Sequence, residues 1–173
     1  MESVSRVLTR KLKLKVNLAK SAVARPWERK FLGFTFTAGR KPKRRIAPPA
    51  LQRFKARIRQ RTNRTRGIKL ERLIREARPY VGGGRNYCGF CEIRAILKEL
   101  ESWIRRRLRC LQWKQWGRRR YRELRQRGVS RDLAWNTTKS AHGPWRVSRS
   151  PALSFALPAA YFDSLGLPRL AEA

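Results

Sequence analysis

The clearest pattern in this chain is a stripe of apolar residues at helical spacing. Ile93, Ile96, Leu97, Leu100, Ile104, Leu108 and Leu111 repeat every three or four positions, which predicts a helix from Ile93 to about Trp113. At about 100° per residue, Arg94, Lys98, Arg105, Arg109 and Gln112 fall together in a separate sector about 60° wide. An upstream helix is expected from near Lys69, where Leu70, Leu73, Ile74, Ala77 and Val81 keep the same period. Pro79 disturbs its end, and Gly82-Gly83-Gly84 is expected to stop it. Another helix follows Pro48-Pro49, with Leu51, Phe54, Ile58 and Thr62 inward, and Asn63 to Gly67 breaks it.

The period changes before Pro48. In FLGFTFT (31–37), Leu32, Phe34 and Phe36 alternate with Gly33 and Thr35, as on a strand with one buried face, and RRIA (44–47) supplies a return strand. Val4, Val7, Leu8 and Leu12 predict a short amphipathic helix over residues 3–13. After a break at Gly117 in WKQWGRRRYRELRQRG (113–128), a helical segment is expected at Asp132–Ser140. From Gly143 the chain is rich in proline and aromatics, and reads as an irregular strap with a short helix at Ala159–Leu165. The fold class expected is mainly α, with a small β-hairpin first and the strap last. The boundaries fall at 1–47, 48–142 and 143–173.

Charge changes this picture more than any motif. The 173 residues carry 44 Lys+Arg against 11 Asp+Glu, a formal net of +33. Residues 1–149 hold 43 of the cations, whereas 150–173 hold only Arg169 against Asp163 and Glu172. Self-repulsion of that size calls for a polyanion. Six Trp, seven Phe and four Tyr argue for a packed core rather than a basic tail. No seven-residue apolar run follows the N-terminal charges, and no segment nears the roughly 20 apolar residues of a membrane span, so no membrane partner and a cytoplasmic location are expected.

The stretch RPYVGGGRNYCGFCE (78–92) contains the only glycine run and a C-x-x-C. It lacks both phosphate-loop spacings, and no strand precedes it. Cys88 and Cys91 have no second pair, with Cys110 distant and His142 the only histidine, so core thiols are expected and no metal or cofactor is implied. The carboxylates are scattered among arginines, which suits ion pairing and not paired-metal catalysis.

KLKLKVNLAKSAVARPWERKFLGFTF (11–36) resembles the last palm segments of bacterial group II intron reverse transcriptases. Residues from about Ile46 to Trp116 resemble the adjoining thumb, or maturase-specific X domain. ESWIRRRLRCLQWKQW (101–116) and GPWRVSRSPALSFALPAAYFDSLGLPRL (143–170) resemble that family's C-terminal end. The resemblance implies binding of group II intron RNA and help in its folding and splicing. It also implies a parent RNA-directed DNA polymerase whose Tyr-x-Asp-Asp palm lies upstream. This sequence has no Asp-Asp pair, so the chain alone is expected to lack catalysis. Gly83-Gly84 stands where the family has Gly-Trp, and Tyr87-Cys88 where it has Tyr-Phe, so the turn expected there has lost two anchors.

The expected RNA-binding face is Arg94, Lys98, Arg105, Arg106, Arg109 and Lys114, extended by Trp116, Arg118, Arg119, Arg120 and Arg122. Exchanging Arg105 and Arg109 for Glu is expected to weaken RNA binding with little loss of helicity. Three alternatives stay open at this stage: a polymerase piece that needs its palm in trans, a decayed fragment, and a non-specific DNA binder.

Overall fold

The computed structural model describes residues 2–17, 21, 23–63 and 66–171. Helix α1 (Glu2–Arg10) comes first, then an antiparallel hairpin of β1 (Phe34–Phe36) and β2 (Arg44–Ile46). The helical body is α2 (Pro48–Arg61), α3 (Leu70–Cys88), α4 (Arg94–Trp116), a 3₁₀ turn at Gly117–Arg119, α5 (Arg120–Gln126) and α6 (Arg131–Lys139). Three short helices close the chain: α7 (Pro144–Val147), α8 (Pro151–Ala156) and α9 (Ala159–Ser164). Among the described residues, no helix is long and apolar enough to cross a membrane.

The long apolar stripes behave as their spacing requires. Leu97, Leu100, Ile104, Leu108 and Leu111 of α4 are buried, as are Leu70, Leu73, Ile74, Ala77 and Val81 of α3. With Ile58 of α2 and Phe162, Leu167 and Leu170 near the C-terminus, most of them join one continuous core. Prolines at the first two positions of α2 start it without losing any donor the helix would use. Thr62 ends it by donating its hydroxyl to the Ile58 carbonyl at 2.7 Å. The break expected at 63–67 includes Arg64 and Thr65, which lie outside the described residues.

Four expectations are corrected. First, α3 does not stop at the glycine run. It passes Pro79 and Gly82-Gly83-Gly84 and ends at Cys88, with Gly89 as its cap. Packing outweighs propensity here. A Cβ on Gly84 would sit 2.6 Å from the Phe54 ring, which itself stacks on Tyr80 with centroids 5.2 Å apart. The missing side chain is what admits Phe54. Second, the hairpin buries Thr35 and leaves Leu32 76% exposed, with Phe34 only partly covered. The Thr35 hydroxyl donates to the Arg29 carbonyl at 3.0 Å, which satisfies it in place. Third, the helix expected over 3–13 forms as α1 but ends at Arg10, and it buries none of its residues. Fourth, the strap is not irregular throughout. Pro144 and Pro151 each start a helical turn before the one expected at Ala159–Leu165, which forms as Ala159–Ser164, and Ser150 caps the second by accepting from the Leu153 amide.

The hairpin is tied to the end of α3. The Tyr87 hydroxyl donates to the Leu32 carbonyl at 2.7 Å, and its ring lies 4.7 Å from that of Phe34. Cys88, Cys91, Ile46 and Leu97 form a second small core beneath this contact. All three cysteines are buried and outside any disulfide, as expected of core cysteines. Burial, with Cys91 adding to it, pushes the Cys88 thiol up to about 11.

Candidate nucleic-acid interface

Helix α4 carries both the core stripe and most of the candidate cations, so each cation's fate follows from what packs on its side of α4. The 94–98–105–109 sector faces the strap for much of its length. Arg94 donates to the Ala171 carbonyl at 3.2 Å, and Arg109 Nε donates to the Leu157 carbonyl at 2.9 Å. Burial, then the neighbouring Arg105 charge, pulls the Arg109 guanidinium below its ordinary value. Arg105 pairs at 3.3 Å with Glu101, only 8% exposed. Glu101 Oε1 in turn accepts from the backbone amides of Leu170 and, at 2.7 Å, Ala171. Arg94, Arg105 and Arg109 therefore hold the C-terminal strap to the core. A periodic polar face shows that something polar meets it; here that is largely the chain's own carbonyl groups.

Two other predicted residues are fixed against rings. Arg106 sits 3.9 Å from the Trp145 ring centroid and donates to the Trp145 carbonyl at 2.9 Å. Arg120 lies 4.8 Å over Trp113 and donates to its carbonyl at 3.1 Å. Trp116 is a correction: it is 4% exposed, edge-on to Trp113 at 6.2 Å, and so belongs to the core. Its sequence neighbourhood of charge hid the fact that α4 continues to position 116, which keeps both indoles on the inner side.

Lys98, Lys114, Arg118, Arg119 and Arg122 remain exposed. The last three follow Gly117, whose φ of +52° ends α4 and turns the chain into the 3₁₀ segment. Lys114 and these arginines therefore crowd one end of α4. Among the described residues, no three His, Cys, Asp or Glu side chains group as a metal site would need. Among the described residues, four carboxylates pair with arginines, as with Glu76 to Arg66 at 2.7 Å and Asp163 to Arg169 at 2.6 Å.

The structure also gathers cations that the α4 pattern alone did not reveal. Lys55 and Arg59 of α2 and Arg107 of α4 surround the Trp103 indole. The available signal was the four-residue spacing of Lys55 with Arg59, and of Trp103 with Arg107. It becomes readable only once α2 and α4 are known to be neighbours.

No curated protein matches this chain. Residues 51–128 match the family model described as the group II intron, maturase-specific domain. That span runs from the first turn of α2 to the end of α5, so it takes in the core of α2, α3 and α4 and the cationic end of α4 together. Over those residues the helical body of this chain is similar to the group II intron maturase-specific domain.

Proposed function

We propose that this chain binds folded group II intron RNA and steadies the fold in which the intron splices. The observation that carries this reading is the maturase-domain match over the same residues that leave Lys114, Arg118, Arg119 and Arg122 exposed at one end of α4. Eleven carboxylates cannot neutralise 44 cations, and RNA phosphates supply the missing charge. The chain's contribution is electrostatic clamping rather than bond-making. Arg105 and Arg109 are unsuitable as test positions, because they fasten the strap.

The test is binding of the full chain to a structured group II intron RNA over a salt series, with an unrelated RNA duplex of equal length as competitor. Clear preference for the intron RNA is expected. Replacing Lys114, Arg118 and Arg122 together by Glu should make the salt dependence shallower, by about one in log–log slope for each phosphate that is no longer neutralised. Equal affinity for both RNAs would overturn the reading and leave a plain polycation.

A second reading concerns the N-terminal segment. Val23, Phe31 and Leu32 are each about three-quarters exposed, and α1 buries nothing, so this region presents apolar surface that another protein segment would cover. Because it resembles the end of a polymerase palm, we assign that cover to a reverse-transcriptase palm. A palm polypeptide added in trans should bind the intact chain, and should not bind one shortened to begin at Pro48.

A further inference from the structure

Trp103 keeps part of its indole outside the core, and cations converge on it. Lys55 Nζ lies 5.8 Å from the ring centroid, and the guanidinium carbons of Arg59 and Arg107 lie 5.4 and 5.5 Å away. Each distance is within cation–π range, yet three like charges around one ring repel one another. An anion placed among them would relieve that repulsion.

Beside the ring is a cleft of about 250 Å³ lined by Arg59, Thr62, Trp103, Arg107, Cys110 and Trp145. Its walls are set before any ligand arrives. Arg107 Nε donates to the Thr62 hydroxyl at 2.9 Å, and that hydroxyl donates to the Ile58 carbonyl at the end of α2. Trp145 is held across the cleft by Arg106, which both stacks on its ring and bonds its carbonyl. Two indoles and flat guanidinium groups thus border an opening smaller than the roughly 300–1,000 Å³ of drug-sized sites. A flat, π-faced ligand carrying negative charge suits this chemistry. A duplex is far too wide to enter. Past Arg106, a second and larger cleft presents Arg146, Arg149, His142 and Ser140, a polar and cationic floor for neighbouring phosphates.

We propose that the Trp103–Trp145 cleft receives one unstacked nucleotide of the bound RNA, its base against indole and its phosphate among Lys55, Arg59 and Arg107. The inference rests on the RNA-binding reading above and deepens it. It assigns a preference for unpaired nucleotides to a site separate from Lys114, Arg118, Arg119 and Arg122, which serve phosphates generally.

The experiment uses the full chain and a single-stranded pentaribonucleotide with 4-thiouridine at its centre. Ultraviolet cross-linking followed by peptide mass spectrometry should mark the peptides carrying Trp103 or Trp145. Trp103→Ala should weaken binding of the pentamer by about 5- to 100-fold, the range expected when one base–indole stack is removed. Trp103→Phe should restore most of it, while affinity for a blunt RNA duplex stays within about twofold. Because Trp103 also packs on the core, Trp145→Ala, at a more exposed ring, serves as the second variant and should show the same selective loss. Cross-links confined to other peptides, or equal losses for pentamer and duplex, would overturn the proposal. Selective pentamer binding without preference for intron RNA would sink only the maturase reading. Intron preference without the cross-link would sink only the cleft.

Discussion

Glu101 shows how much one side chain can organise. Its carboxylate accepts from the amides of Leu170 and Ala171 and pairs with Arg105, all close to the core. Removing it leaves two backbone donors and a partly buried guanidinium without their acceptor, at a cost of about 1–3 kcal/mol for each unsatisfied group. Glu101→Ala is therefore expected to lose about 3 kcal/mol, or about 6–12 °C of melting temperature for a chain this size. Glu101→Gln, which keeps one acceptor oxygen, should lose less. Thermal melting by circular dichroism checks both, and a loss below about 1 kcal/mol for the alanine variant would show that the strap is held elsewhere. Cys88 makes a second prediction at this scale. Its thiol ordinarily titrates near 9.0 and is pushed up to about 11 in the fold. Well below pH 9 it is neutral in both states and contributes nothing to pH dependence. Between the two values the unfolded chain has released a proton that the folded chain keeps, so stability falls as pH rises. Denaturant titrations from pH 8 to pH 11 should show that fall, and Cys88→Ala should flatten it.

At the scale of elements, α3 is the most instructive. Three consecutive glycines inside a helix each cost about 1 kcal/mol relative to alanine, yet they are not equivalent. A Cβ on Gly83 would meet nothing within 4 Å, whereas one on Gly84 would collide with Phe54. Gly83→Ala should raise the melting temperature by about 2–4 °C, by lowering the entropy of the unfolded chain and favouring helix. Gly84→Ala should lower it, because the Phe54–Tyr80 stack must open. If both variants stabilised the protein, the close approach of α2 to α3 would be wrong. The same stretch explains what the sequence could and could not disclose. Stripes such as Leu70 to Val81 and Leu97 to Leu111 are local periodicities, and both were legible. The continuation of α3 through Gly84 depends on Phe54, thirty residues earlier in the chain, and no local pattern contains that approach. The candidate interface divides in the same way. Lys114, Arg118, Arg119 and Arg122 were readable as exposed cations because their side chains stay exposed in the fold. Arg94, Arg105 and Arg109 were not readable as strap anchors, because their partners are backbone carbonyls and a carboxylate that itself holds amides far along the chain. Backbone groups leave no signature in residue type.

The uneven charge of the whole molecule acquires a structural use in this fold. The nearly neutral segment after position 150 is laid against Arg94 and Arg109 of α4, so it covers those cations without adding any but Arg169. Lys98, Lys114, Arg118, Arg119 and Arg122 stay exposed, and their mutual repulsion works against compactness. Raising sodium chloride from about 0.1 M to about 1 M shortens the screening length from about 10 Å to about 3 Å. The free chain should therefore melt at a higher temperature in the stronger salt, while an uncharged osmolyte at equal water activity should not reproduce the full gain. Intron RNA should act in the opposite order. At low salt its phosphates neutralise the surface, and binding to the folded state alone adds about 2.7 kcal/mol at a concentration one hundred times the dissociation constant. At high salt the RNA dissociates and that increment disappears. Two melting curves, with and without RNA, should thus lie apart in dilute salt and converge as salt is added. If the free chain were indifferent to salt, its charge would not be a burden on folding.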